Sequence, residues 1–100
     1  MKTRKELVAE YKRLGNELRE HHMPTQFFNH CFWRIANDYA VGKQWDTIIR
    51  RPFFEHASQQ TIEKSIVMLN SMFDEQYLEH LNQISLRLRG HQHKPTTINK

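Results

Sequence analysis

One hundred residues, 38% hydrophobic, 26% charged and 11% aromatic, fit one folded domain rather than two, because separate cores rarely fit into so short a chain. A single cysteine, Cys31, excludes an internal disulfide, and no stretch approaches the roughly 20 apolar residues of a membrane span, so a cytoplasmic protein without a membrane partner is expected. The formal charge of +4 resides largely in Lys2, Arg4, Lys5, Lys94 and Lys100; between Glu6 and Gly90 ten Lys and Arg face eleven Asp and Glu, which weakens the case for nonspecific nucleic-acid binding.

Thr3 and Glu6 stand at capping-box spacing, and Leu7, Tyr11, Leu14 and Leu18 recur at helical intervals, which predicts a first helix over Arg4 to His21. The opening MKTRKELVAEYKRLG has no apolar run of the length a secretory leader needs. His21 and His22 suit the negative pole of that helix, and Pro24 blocks its continuation. A second helix is expected over Thr25 to Val41, striped by Phe28, Phe32, Ile35 and Tyr39, broadened by Cys31 and Ala36, and stopped at Gly42. Lys43 to Arg50 is read as a short helix, ended because Pro52 disfavours helical geometry at Arg51. Phe53 and Phe54 then plug the core from an irregular link.

Ser58 is read as the N-cap of the third main helix, with the stripe Ile62, Ile66, Leu69 and Phe73. Asp74 caps the fourth, striped by Tyr77, Leu81, Ile84 and Leu88 and stopped after Arg87 and Arg89 at Gly90. The remaining HQHKPTTINK is polar and proline-broken, a composition expected to be disordered. The expected fold is therefore all-α: an irregular bundle of four main helices and one short helix over residues 1–90, followed by a flexible tail over 91–100.

The stretch NHCFWRIANDYAVGKQWD concentrates candidate functional groups. On a helical wheel Asn29, His30, Trp33, Arg34, Asn37 and Asp38 fall opposite the Phe28, Phe32, Ile35 and Tyr39 stripe, which predicts a polar face that is either solvated or packed under the link around Trp45, with an Arg34–Asp38 pair. Trp33 beside Arg34 on such a face has the composition of a recognition hot spot. Cys31 belongs to the apolar side, is expected to be buried, and points about 100° away from His30, so the two make no nucleophile and base. His30 and Asp38 are two turns apart, about 12 Å along the axis, so an enzyme using His30 would need Asp46 or another histidine besides.

Lys43, Trp45, Arg50 and Arg51 form a second patch, basic and aromatic. VGKQWDTIIRRP matches a helix-turn-helix weakly: Gly42 and Ile48 suit the turn and a core position, whereas Asp38 and Lys43 occupy slots that want a small and an apolar residue. The pairs His21 and His22, and His91 and His93, lack the i, i+4 spacing of a helical metal site, so neither metal nor cofactor is expected. The preferred reading is a small non-catalytic binding or regulatory protein that engages a macromolecular partner, a protein first, through His30, Trp33, Arg34, Asn37, Lys43, Trp45, Arg50 and Arg51. Nucleic acid held by Lys43 to Arg51 is second, and a small enzyme using His30 with Asp38 or Asp46 is third. A homodimer would help so short a chain bury its aromatic residues. Removing His91 to Lys100 is expected to leave the melting temperature nearly unchanged in a thermal scan, since a polar segment after a glycine stop has little to bury.

Overall fold

The first helix, α1 (Arg4–His21), begins where Thr3 and Glu6 close a reciprocal cap: Thr3 Oγ1 accepts from the Glu6 amide at 3.2 Å, and the Thr3 amide donates to the Glu6 carboxylate at 2.8 Å. It is seen in a computed structural model of the chain, which describes residues 2–22 and 29–90, the side chains of Asn29 and His30 excepted. There follow α2 (Asn29–Val41), one 3-10 turn (Trp45–Thr47), a single-turn helix α3 (Phe53–His56), α4 (Gln59–Ser71) and α5 (Glu75–Leu88). The fold is all-α, with four main helices and a short one, and no strand among the described residues. The expected start of the second helix at Thr25, its stripe residue Phe28, and the tail from His91 lie outside the described residues.

Helix α2 is the central element, packed against α1, α4 and α5, while α1 also packs on α4. The α1 stripe is buried as expected, Leu7, Tyr11, Leu14 and Leu18 all facing the core. Phe32, Ile35 and Ala36 of α2 meet Ile62, Ile66, Leu69 and Met72 from α4 and its end. The N-caps also form as expected: the Ser58 hydroxyl accepts from the Thr61 amide, and the Asp74 carboxylate accepts from the Gln76 and Tyr77 amides. Gly42 and Gly90 both take φ above 80°, the left-handed geometry that stops the helices before them.

Other expectations fail for identifiable reasons. Tyr39 is 44% exposed and Tyr77 53% exposed, so neither belongs to its stripe. Helix α5 buries Leu78, Leu81 and Ser85 instead, a neighbouring stripe at the same helical spacing, because Ser85 finds a polar partner on α2. The short helix expected over Lys43–Arg50 contracts to the Trp45–Thr47 turn, since the Trp45 amide is held by the Asp38 carboxylate at 2.9 Å. Cys31 is half-buried rather than buried.

Beyond the turn, Arg51 and Pro52 are joined by a cis peptide, and Phe53 enters the core from the first position of α3. So short a helix cannot satisfy its own carbonyls. The Arg4 guanidinium of α1 supplies donors to the Phe54 and Ala57 oxygens at 3.0 and 2.7 Å. The far end of α1 does the same for α4: His22 Nε2–H donates to the Met72 carbonyl at 2.7 Å and His21 Nε2–H to the Phe73 carbonyl at 3.0 Å.

One close approach sets the spacing of α1 and α2. The Trp33 indole abuts α1 at Gly15, where a Cβ would stand 2.3 Å from its ring, and its Nε1–H donates to the Tyr11 carbonyl at 2.9 Å. Helix propensity alone would make Gly15→Ala stabilising by about 1 kcal/mol. Overpacking against the indole is expected to reverse that sign, with a net loss of about 1–3 kcal/mol in urea unfolding. In a Trp33→Ala background the same change should become neutral or stabilising.

Candidate binding cleft

Asp38 is fully buried on α2, and a carboxylate there must find donors or lose its charge. It finds four: the Trp45 amide at 2.9 Å, the Ser85 hydroxyl at 2.7 Å, and Arg89 Nε and Nη2 at 2.6 and 3.1 Å. Thus α2, the 3-10 turn and the end of α5 are tied to one side chain. The adjacent Asn37 is buried too: its Nδ2 donates to Tyr11 Oη at 2.9 Å, and Ser65 Oγ donates to its Oδ1 at 2.9 Å, which joins α2 to α1 and α4. Of the two arrangements expected for that polar face, Asn37 and Asp38 are therefore packed rather than solvated, with the Asp38 carboxylate bound to the Trp45 link. Because α2 is central, that face is covered by neighbouring helices whose polar groups satisfy it.

The expected Arg34–Asp38 pair does not form. Asp38 is taken by Arg89, while Arg34 donates to the Asn82 side-chain oxygen on α5. Trp33 and Trp45 do not project as a hot spot. Trp33 is half-buried against α1, and Trp45 is only 7% exposed, edge-on to Phe53 with ring centroids 5.4 Å apart.

What these contacts leave is a concavity of about 490 Å³. Its walls are aromatic: Tyr11 stacks on Trp33 at 5.8 Å and on Phe53 at 5.7 Å, with Phe54 tilted beside it and Trp45 closing the far side. Four cations line it as well, Lys12, Arg34, Arg51 and Arg89. Lys12 Nζ lies 4.3 Å from the Phe54 ring centre and the Arg51 guanidinium 5.2 Å from that of Trp45, both drawn to the negative faces of the rings. No carboxylate, imidazole, thiol or serine is among the described residues that line it.

The charges differ in how they are compensated. Arg89 is paired with Asp38, and Arg51 with Asp46 at 2.5 Å. Burial pushes the Asp46 carboxyl up, but hydrogen bonds from Arg51 and Gln44 and the charge of Arg89 outweigh it and hold it below the usual carboxylate range. Arg34 is lowered, chiefly by burial and with the like charge of Arg89 adding to it. Burial likewise drives the Tyr11 phenol far above its ordinary value, against the opposing hydrogen bond from Asn37. Tyr11 thus stays a neutral hydroxyl.

Of the residues singled out from the sequence, Trp33, Arg34, Asn37, Trp45 and Arg51 converge on the cleft. Lys43 and Arg50 are exposed and do not line it, and the His30 side chain lies outside the described residues. Ile48, the core position of the helix-turn-helix reading, is 57% exposed, which removes that motif's support. Sequence reasoning missed Lys12 and Arg89 as cleft residues, and took Tyr11, Phe53 and Phe54 as core alone. A hint existed in Arg89, one residue before a glycine stop, but only the burial of Asp38 explains where it goes. Among the described residues no three His, Cys, Asp or Glu side chains cluster to hold a metal ion, and no helix is long and apolar enough to cross a membrane.

No protein-family model, curated protein or solved structure matches the chain.

Asp38→Ala is expected to cost about 3–5 kcal/mol in chemical denaturation, because Arg89 keeps no closer carboxylate than Asp46 at 3.9 Å and the Trp45 amide and Ser85 hydroxyl lose their acceptor. Asp46→Asn should cost less and act through pH. With its folded pKa depressed, Asp46 contributes stability in full above its unfolded pKa and loses it as pH falls through the folded value. Melting temperatures measured from neutral to acid should therefore fall less steeply for Asp46→Asn than for the native chain.

Proposed function

We propose that the chain is a small non-catalytic binding protein that engages a protein partner through the cationic aromatic cleft. The single observation behind this reading is the composition of the cleft: five aromatic residues and four cations around about 490 Å³, with no carboxylate among its described lining. A site of that volume accepts a compact ligand or an inserted side chain, and buried aromatic anchors framed by arginine are what protein interfaces use for affinity.

Two rival readings have less support. Acid-base catalysis most often uses an imidazole or a carboxylate, and the described lining offers instead a buried phenol, three guanidiniums and the exposed Lys12. Of the two carboxylates that reading would use, Asp38 is bound by four donors and Asp46 is paired with Arg51. A nucleic-acid track would have Lys43 and Arg50 continue the cationic lining, whereas neither lines it, and the body between Glu6 and Gly90 has no positive excess.

The reading is tested by capturing partners from native lysate and titrating the captured species at several salt concentrations. Lys12→Glu and Arg51→Glu, both exposed positions, are expected to weaken binding about tenfold at low salt, mainly by slowing association. Lys43→Ala and Arg50→Ala should leave it unchanged. Capture of nucleic acid alone, with a steep log-linear loss of affinity as salt rises, or binding indifferent to both cleft variants, would overturn the proposal.

A further inference from the structure

We infer that the group entering the cleft is an aromatic side chain flanked by carboxylates on a peptide segment of the partner, its acidic group lodging on Lys12 and Arg34. This rests on the reading of the cleft as a protein-binding site and specifies the chemistry it selects.

The four lining cations are not equivalent. Arg89 and Arg51 already hold Asp38 and Asp46. Among the described residues no carboxylate is within ion-pair distance of Lys12 or Arg34. Lys12 rests on the face of Phe54, and Arg34 has the amide oxygen of Asn82, while its Nε is sealed from solvent without an acceptor. A guanidinium that has lost hydration and received only a neutral acceptor interacts strongly with an incoming carboxylate, by charge-assisted hydrogen bonds in a site of low dielectric. The anion is thereby directed to these two side chains and not to the others.

The remaining surface selects the body that bears the anion. Ring faces carry negative quadrupole density, so a carboxylate is repelled from the walls and pushed toward Lys12 and Arg34, whereas another ring gains by offset or edge-on contact with Tyr11, Trp33, Phe53 and Phe54. An aliphatic anchor would bury area without that gain. A phosphate polymer would need further cations along its path, and the neighbouring Lys43 and Arg50 are not part of the lining.

The test uses the full chain labelled with nitrogen-15, with the indole N–H signals of Trp33 and Trp45 as reporters inside the cleft. The probe is the blocked tripeptide acetyl-Asp-Phe-Asp-amide, compared with acetyl-Asn-Phe-Asn-amide, acetyl-Asp-Ala-Asp-amide and an oligothymidine of eight nucleotides. Saturable shifts of an indole signal are expected with the first probe, and affinity about tenfold lower for the Asn and Ala analogues. Arg34→Gln and Lys12→Gln should each weaken the acidic probe toward the level of the Asn analogue while leaving the Asn analogue unaffected, a pattern that a purely structural loss would not give. Lys12→Gln changes an exposed residue and keeps the test open should Arg34→Gln fail to fold by circular dichroism. Lys43→Ala is expected to alter neither probe.

Equal affinity for the Asp and Asn peptides, acidic-peptide binding that leaves both indole signals unmoved, or tighter saturation by oligothymidine would each overturn the inference. Its failure is separable from that of the proposed function. A captured protein partner lost on Lys12→Glu or Arg51→Glu, alongside peptides bound without charge preference, refutes the acidic-aromatic occupant and leaves the protein-binding cleft standing.

Discussion

A charged carboxylate at zero exposure is the constraint on which this small fold turns. Asp38 could not be desolvated without a counter-ion, and breaking such a buried pair costs far more than an exposed one. Arg89 must therefore return from the end of α5 to α2, and the Trp45 amide must close over the same carboxylate. The connection after α2 consequently becomes a tethered turn rather than a helix. Tethering brings Trp45, Arg51 and Arg89 to one place, and Asp46 beside them holds Arg51 and approaches Arg89 at 3.9 Å. A residue that reads as a surface charge on a wheel thus organises one wall of the cleft.

The opposite wall depends on Gly15. Only a residue without Cβ lets the Trp33 ring lie on α1, and the resulting approach allows Tyr11 to stack on Trp33 and Phe53 while its hydroxyl meets Asn37. Asn37 also accepts from Ser65, so the same buried hydrogen bonds that fix α1 and α4 against α2 orient the rings facing the cleft. Satisfied polar networks of this kind specify one arrangement of helices, because any slip leaves buried donors without acceptors. The aromatic walls of the cleft are consequently held by the core, whereas Lys12 and Arg51, which also line it, are exposed. Binding against those walls would require little further ordering of the rings, which is where much of the cost of association otherwise lies.

Imbalance of charge gives the cleft its chemical character. Two of the four described lining cations are paired with Asp38 and Asp46, while among the described residues Lys12 and Arg34 hold a ring face and a neutral amide. A nearly neutral body therefore carries cations inside an apolar concavity. Such a placement favours discrimination between ligands more than indiscriminate attraction of polyanions.

Much of the secondary structure was legible because its causes are local. The Thr3–Glu6 box, the Ser58 and Asp74 caps, the stops at Gly42 and Gly90, and the stripe from Leu7 to Leu18 each depend on residues a few positions apart. The cleft was only partly legible. Trp33, Arg34, Asn37, Trp45 and Arg51 could be singled out by type, but a wheel cannot say which faces of α2 are covered, so it could not choose between a solvated face at Asn37 and Asp38 and one packed under the Trp45 link. Nor could it choose between the overlapping stripes of α5, one through Tyr77 and one through Leu78, since both satisfy helical periodicity. Tertiary packing made that choice by giving Ser85 to Asp38. Where helices start and stop could be read from residues about one turn apart, whereas which polar groups were buried and which rings met depended on packing, because those partners lie as much as 53 residues apart along the chain.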